Sequence, residues 1–333
     1  MAVSGQVSTI SIDAAKVIEL AFRRCKVPPQ RISGEMTEVA LDQLGLLLND
    51  LSLHGLKLWT TEKVVMGMAD GFSYISAPAG TLEIKNINIR STSRLTGTSS
   101  STSTTYQLAL DDAAVVQHVG VKLTTGGTFD FVIERSDDGS SWTTAADPAS
   151  AAYTAGTWYW FDIEGAVSAG YIRVRESTGA TIAVSDFYAA TRGREIPLGI
   201  LVRDQYANLP DKFHPGIPNQ YWLDRQRDTT VLHLWPCPNS TAANDRQIVG
   251  YRERHVMDVT SLTQTIDIPQ NWHSAIIEGL ALKLCKSIQE VDIKMKPDIQ
   301  ADAEMAISLA KTDQRNRGDV IVEVDIRRYT RAR

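Results

Sequence analysis

Apolar residues recur at every third or fourth position in four segments near the two ends of the chain, and this is the spacing of amphipathic helices. The first segment has Ser11 or Asp13 as its cap, and Pro28 and Pro29 end it because proline removes a backbone donor. The four predicted helices span residues 11–25, 34–54, 269–284 and 297–318. We expect them to form a helical bundle.

Segments rich in β-branched residues predict strands between these helices. They span residues 72–76, 82–90, 228–235 and 246–254, and we expect the last to pair with the one before it in a small sheet. The C-terminal residues 319–333 alternate apolar and polar positions, with Val320, Val322, Val324 and Ile326 in one row. This row predicts a strand whose edge needs a partner.

The segment 91–190 differs in composition from the sequence on either side. It carries five Lys/Arg against eleven Asp/Glu, and the flanks are close to neutral, so it accounts for the formal net charge of −5. It opens with the low-complexity run STSRLTGTSSSTSTT, and strands are predicted at 106–110, 115–123, 128–135, 157–163, 170–175 and 181–188. This pattern predicts a β-sandwich inserted into a loop of a discontinuous host domain, closing on itself and projecting outward.

Two phrases of the insert, FVIERSDDGSSWTT at 131–144 and GYIRVRES at 170–177, resemble the discoidin-type or galactose-binding-like jelly roll. In that family a strand ending in S-D-G-x-x-W and a later Y-I/V-R-V strand recur. The resemblance implies an all-β jelly-roll sandwich. Within the first phrase, Asp137, Asp138 and Gly139 could bind calcium, but such a sequence is more often a hairpin turn, and we interpret it as a turn.

The segments outside the insert resemble the head-to-tail adaptor, or connector, proteins of tailed bacteriophages. The strongest stretch is LVRDQYANLPDKFHPGIPNQYWLDRQRDTTVLHLWPCP at 201–238. Its positions that match the family pattern are Arg203, Asp204, Tyr206, Leu209, Pro210, Lys212, Gly216, Pro218, Tyr221, Asp224, Arg225, Leu232, Leu234, Trp235, Pro236 and Pro238. The phrases HGLKLWTTE and DIPQNWHSAIIEGLALKLC also match, whereas the insert is absent from minimal adaptors.

The two resemblances, together with the alternating C-terminal segment, imply an α+β multidomain protein. Its parts would be a discontinuous helical-bundle adaptor domain with a small β-sheet at 1–90 and 191–318, the inserted jelly-roll sandwich at 91–190, and a docking tail at 319–333. The residues expected to dock on the portal are Val320, Val322, Val324, Ile326, Arg327, Arg328, Tyr329, Arg331 and Arg333.

The adaptor resemblance implies a structural role in the virion, at the neck where head and tail meet. The chain would be made in the host cytoplasm and would form a dodecameric ring that docks on the portal protein, extends the DNA channel and receives a tail hub or nozzle protein. Genomic DNA would pass through without specific binding. We expect no cofactor and no enzymatic activity.

Composition and motifs add no catalytic chemistry. The six histidines have no metal-ligand spacing, and no HExxH, P-loop or GxSxG motif occurs. Cys25, Cys237 and Cys285 lie far apart, so neither a disulfide framework nor a zinc site is indicated. The even spread of charge argues against a protein that grips nucleic acid over a broad face, and no run of 18 apolar residues predicts a membrane span.

Three tryptophans of the insert, Trp142, Trp158 and Trp160, are candidate glycan-contacting residues, because aromatic rings suit the apolar faces of sugars. Alternation along TWYWFDI places Trp158 and Trp160 on one side and Tyr159 and Phe161 on the other, so one of the two sets belongs to the core. A carbohydrate-binding tail or adhesin protein acting through the sandwich is therefore the alternative function. A glycan-cleaving enzyme would need a close pair of carboxylates, which the sequence does not assign.

Overall fold

The computed structural model describes residues 12–53, 60–165, 167–226, 229–288 and 296–313. The helices are α1 (Ala14–Arg24), α2 (Gly34–Leu53), α3 (Arg203–Ala207), α4 (Ser240–Asp245), α5 (His273–Ser287) and α6 (Lys296–Asp313). The strands are β1 (Thr61–Gly67), β2 (Tyr74–Ser76), β3 (Thr81–Ser91), β4 (Gly97–Ser101), β5 (Thr105–Val115), β6 (His118–Leu123), β7 (Gly127–Phe129), β8 (Phe131–Ser136), β9 (Thr143–Ala146), β10 (Ala151–Tyr153), β11 (Trp158–Asp162), β12 (Ser168–Glu176), β13 (Val184–Ala190), β14 (Arg194–Pro197), β15 (Gly199–Ile200), β16 (Pro215–Gly216), β17 (Gln220–Arg225), β18 (Thr230–Trp235), β19 (Cys237–Pro238) and β20 (Arg246–Arg254).

The chain divides into two compact units, one with the described residues of 1–60 and 256–333 and one with those of 61–255. Strand residues outnumber helical residues in the described chain. The predicted fold class, a helical-bundle host domain with a small sheet plus an inserted jelly roll, is therefore wrong. The long helices form a unit of their own, and the host strands belong to the unit that contains the sandwich. The predicted boundaries stay a prediction, with the host at 1–90 and 191–318, the insert at 91–190 and the tail at 319–333.

The helical unit is built from α1, α2, α5 and α6 around one core, in which the side chains of Phe22 and Trp272 are fully buried. Asp13 caps α1, because its carboxylate accepts a hydrogen bond from the Lys16 amide at 2.8 Å. Within the described residues the structure confirms these four helices to within a few residues, and the predicted end of the fourth, at 318, lies outside them. The exception is at Pro269, which precedes a short 3-10 turn (Gln270–Trp272) instead of lying inside α5.

The host strands of the second unit form two four-stranded sheets, one in the order β1-β20-β3-β14 and one in the order β15-β17-β18-β2, and β16 pairs with β19 in a separate two-stranded sheet. The expected pairing of residues 228–235 with 246–254 is wrong, since β18 and β20 lie in different sheets. The reason is local. Residues 236–245 contain two prolines and α4, which Asn239 caps by accepting a hydrogen bond from the Ala242 amide, and this connection carries the chain to the other sheet.

The insert folds as a β-sandwich, as predicted. Its five-stranded sheet has the order β4-β5-β12-β8-β9, its three-stranded sheet has the order β11-β6-β13, and β7 pairs with β10 beside them. Both sheets contribute fully buried side chains to one core, among them Ile133 and Ile172 from the first and Val121 from the second. Strand β4 was not predicted, because it lies inside the low-complexity run and presents only exposed residues.

Ile172 supplies a test of this core. Replacing Ile172 with Ala should lower the free energy of unfolding of the second unit by about 2–5 kcal/mol, because it removes transfer free energy and leaves a cavity between the sheets. Guanidinium unfolding curves measure the change. Thr144→Ala, at an exposed position of β9 in the same sheet, is the matched control and should shift stability by less than about 1 kcal/mol. Equal losses in the two variants would contradict the position of Ile172 between the sheets.

Candidate functional site

Arg90, near the end of β3, lies at the centre of a charged cluster and has only 2% of its side chain exposed. Its guanidinium donates to Asp162 Oδ1 at 2.7 Å and to Glu195 Oε1 at 2.9 Å. It also donates to the Gln247 side-chain oxygen on β20 at 3.2 Å. Because Asp162 lies on β11 of the sandwich and Glu195 on β14, one buried cation joins the insert to the host sheet. We call these four residues, with His118 and Lys63, the Arg90 cluster.

Asp162 is the most heavily used carboxylate of the Arg90 cluster. Besides Arg90, it accepts from the Lys63 ammonium, and the Nδ1 atom of His118 lies 2.9 Å from its Oδ1. Burial alone would raise the pKa of Asp162, but the contacts with His118, Arg90 and Lys63 outweigh it and hold the pKa well below the usual range. The group is therefore ionised near neutral pH, and its oxygens are occupied by protein donors.

A cleft of about 620 Å³ opens beside the Arg90 cluster, and we call it the Lys63 cleft. Residues with polar groups that line it include Lys63, Gln117, His118, Asp147, Asp162 and Glu164. Val65, Pro148 and Phe161 supply apolar wall. Asp147 and Glu164 are exposed, so unlike Asp162 they offer carboxylates at the rim that can receive hydrogen bonds from a ligand. Such a mixture suits a small hydroxylated molecule.

Two of the three predicted glycan-contacting tryptophans are buried. Trp158 is 3% and Trp160 7% exposed, and their rings stack with centroids 5.2 Å apart while Tyr188 packs edge-on against both. The indole Nε1 of Trp158 donates to the Asn244 side-chain oxygen at 3.2 Å. A side chain at Gly67 on β1 would collide with the carbonyl oxygen of Trp158, so the two backbones approach closely. These rings pack the sandwich against host strands, and Trp160 also lines the Lys63 cleft with the small part that stays exposed.

Trp142 lies apart from the other two tryptophans, just before β9. One of its ring faces is occupied, because the Arg173 guanidinium carbon lies 3.9 Å from the ring centroid. Arg173 in turn donates to Glu134 at 2.7 Å. The structure therefore does not bring the three predicted glycan-contacting residues together.

The described residues of the phrase at 201–238 form a packed scaffold around α3. The ring of Tyr206 packs against Trp222 and His233 at centroid distances of 5.2 and 5.1 Å. Lys212 donates to the carbonyl oxygen of Ala207 at 3.0 Å and so satisfies the end of the helix. Leu232, also part of the phrase, is fully buried. The matched positions Tyr206, Lys212 and Leu232 therefore stabilise the fold of this segment.

Three large apolar side chains flank α3 and are exposed, although pattern analysis did not single them out. Ile200 is 71% and Phe213 72% exposed, and Val202 is exposed to a similar degree. Ile200 and Val202 lie on the segment that enters α3, and Phe213 follows it. The available signal was Phe213, a single aromatic residue within a polar stretch. We call these three residues the α3 patch.

The Asp137-Asp138-Gly139 sequence forms a turn, as interpreted from the sequence. Asp138 accepts from the amides of Ser140 and Ser141, both at 2.8 Å, and these bonds hold the pKa of Asp138 well below its usual range. The carboxylate of Asp138 thus stabilises the turn. Among the described residues, no group of three His, Cys, Asp or Glu side chains is placed to hold a metal ion.

The predicted portal-docking residues, Val320, Val322, Val324, Ile326, Arg327, Arg328, Tyr329, Arg331 and Arg333, lie outside the described residues. Within the described part of the chain, no helix is long and apolar enough to cross a membrane.

No family model and no curated protein matches this sequence. Among solved structures, the chain is similar to a glycoside hydrolase with 16% identity over 26% of this chain and 18% of the other, at a TM-score of 0.21. It is similar to a pectin-binding carbohydrate-binding module (17% identity, 27% of this chain, 64% of the module, TM-score 0.20). It is also similar to the CBM32 module of AlyQ (16% identity, 34% of this chain, 98% of the module, TM-score 0.23). Similarity at this level assigns no activity.

Arg90 is the residue by which the charged cluster can be tested. Arg90→Met should lower the free energy of unfolding by about 3 kcal/mol, because it leaves Asp162 and Glu195 without their shared cation. We expect the lower end of the range for buried pairs, since Lys63 and His118 remain beside Asp162. Urea unfolding at neutral pH measures the loss.

Arg225→Met is the matched control, because Arg225 pairs with Glu83 on the surface, where a salt bridge contributes about 0–1 kcal/mol. A loss at Arg90 no larger than the loss at Arg225 would show that the cluster does not hold the unit together.

Proposed function

We propose that this protein is a structural component of a bacteriophage neck, acting as a head-to-tail adaptor that assembles in a ring and contacts the portal. The observation that carries the proposal is the α3 patch, three exposed apolar residues mounted on the scaffold that the adaptor-like phrase 201–238 builds. Single exposed apolar residues are common. Three of them flanking one five-residue helix are better explained as a surface that another protein covers.

The scaffold beneath the patch suits a docking role. Trp222 and His233 stack and the Tyr206 ring packs against both at a tilt, so the segment is ordered before any partner arrives. A preordered surface loses less conformational entropy on binding than a mobile loop does. The remaining partners, a tail hub or nozzle protein and DNA that passes without specific binding, follow from the adaptor resemblance alone.

Assembly of the purified chain tests this proposal. The native mass, measured over a concentration series, should rise from the 36.7 kDa of one chain towards twelve times that value, and negative-stain images should show rings. Phe213→Ser should raise the concentration needed for assembly at least about 10-fold, the loss expected for a buried aromatic contact.

Val167→Ser is the control for that variant, since Val167 is an exposed apolar residue of the sandwich outside the patch. A chain that stays monomeric at every concentration, or a Phe213→Ser variant that assembles like the parent, would contradict the proposal.

A second candidate function is carbohydrate binding by the sandwich, and the Lys63 cleft favours it. The cleft offers the Gln117 amide and the Asp147 and Glu164 carboxylates as groups for hydroxyls, beside the apolar wall at Phe161. The carbohydrate-binding modules among the similar structures agree with this candidate. The argument for it is the geometry of the cleft. It is compatible with the neck proposal, because different residues serve the two functions.

Glycan binding can be tested by calorimetry with a panel of neutral and amino sugars. The parent chain should bind at least one of them, and the double variant Asp147→Asn with Glu164→Gln should weaken the affinity at least about 10-fold, since a hydrogen bond to a charged group contributes about 1 kcal/mol more than one to a neutral amide. Asp111→Asn with Asp112→Asn, at exposed positions of β5, is the charge-matched control. Absence of binding would exclude the candidate, and loss of binding in Trp142→Ala but not in the cleft variant would move the site to Trp142.

A further inference from the structure

Two of the three cysteines meet in the core of the helical unit. Cys25 follows the last residue of α1, Cys285 lies in the last turn of α5, and their sulfur atoms are 3.7 Å apart. The residues are 260 positions apart in the sequence, and both are buried. The Cys25 thiol also lies 3.5 Å from the carbonyl oxygen of Ala281, to which it can donate.

We propose that Cys25 and Cys285 form a disulfide when the protein passes from a reducing to an oxidising medium, and that this bond fastens α1 to α5. The step requires an oxidant such as a small-molecule disulfide. A thiolate of the pair attacks one sulfur of the oxidant and releases the other as a thiol, and the second cysteine then attacks the mixed disulfide. In total two thiols lose two protons and two electrons, one S–S bond forms, and the oxidant is reduced to two thiols. This inference is independent of the proposed neck function.

The geometry is close to what the bond requires. Disulfide sulfurs lie about 2.05 Å apart, so the two atoms must approach by roughly 1.7 Å for the bond to form. Both cysteines lie at helix ends, where the backbone yields more readily than in mid-helix. Neither sulfur is held by another covalent partner, since all three cysteines are free thiols.

The environment of the pair makes the reaction slow but pH-dependent. Burial, together with the neighbouring Cys285 thiol, raises the pKa of Cys25 to about 12. Near neutral pH this thiol is almost entirely protonated, and the thiolate is the reactive form. We therefore expect the pair to oxidise slowly near neutral pH and faster as the pH rises towards the pKa of Cys25.

Cys237 supplies an internal reference. It is buried in β19 of the other unit, and burial also raises its pKa. If slow oxidation reflected only burial and chance encounters, Cys237 would be lost at a similar rate. If proximity controls the reaction, Cys25 and Cys285 disappear together and Cys237 remains.

The experiment incubates the full chain with oxidised glutathione at about pH 8.5, in buffer and in mild urea, then denatures it and counts free thiols. The count should fall from three to one, and digestion without reductant should yield a linked peptide pair containing Cys25 and Cys285. Cys25→Ser and Cys285→Ser should each keep two free thiols, and Cys237→Ser should lose both of its thiols. The oxidised chain should melt about 5 °C or more above the reduced chain, because the bond restricts the unfolded state.

Three outcomes would overturn the inference. One is a count that stays at three in both buffer and mild urea, which would show that the sulfurs do not react even when the core can open. Another is a linked peptide that contains Cys237 or joins two chains. The third is an oxidised form that melts below the reduced one, which would show that the bond strains the helices instead of fastening them.

Discussion

A buried charged group that water does not solvate needs an opposite charge beside it, and in this protein that group is the guanidinium of Arg90. The guanidinium is buried at the end of β3, and its two carboxylate partners come from opposite sides of a boundary in the sequence. Glu195 lies in β14, the strand that follows the insert, and Asp162 lies within the insert itself. Removing either the insert or the return strand would leave a buried cation partly unpaired, which is costly. The predicted insert is therefore tied to its host by electrostatics as well as by the chain.

Residues of the adaptor-like phrase and of the sandwich fall into two kinds, those that are buried and hold the fold together and those that are exposed to solvent. In the adaptor-like phrase, the positions that matched the family pattern include buried ones such as Tyr206 and Leu232, which hold the scaffold. The exposed apolar residues are Val202 and Phe213, which belong to no matched position, and Ile200, which lies just before the phrase. The sandwich divides in the same way, because Trp158 and Trp160 pack inward while the carboxylates of Asp147 and Glu164 remain accessible.

The sequence predicted what is local and failed where distant segments must meet. Helix α1 and strand β20 were located to within a few residues, because periodicity and β-branched content are properties of neighbouring positions. The partner of β20 was wrong, since pairing depends on where the intervening turn and α4 send the chain. Alternation in β11 separated two faces, but nothing local identifies which face another strand will cover. The Arg90 cluster and the meeting of Cys25 with Cys285 could not be predicted for the same reason.

The pairing of β3 with β14 has a mechanical consequence. Ser91 and Arg194, the residues at the two junctions of the insert, are direct partners in the antiparallel ladder, and Arg90 opposite Glu195 is the next pair. A load applied to the sandwich would therefore pull on adjacent ends of two paired strands, a geometry in which hydrogen bonds break one after another and resistance is low. The ion pair between Arg90 and Glu195 stands at the first step of that peeling, with β20 bonded along the other side of β3. The bonds that such a load would break first therefore include this ion pair as well as the backbone hydrogen bonds of the ladder.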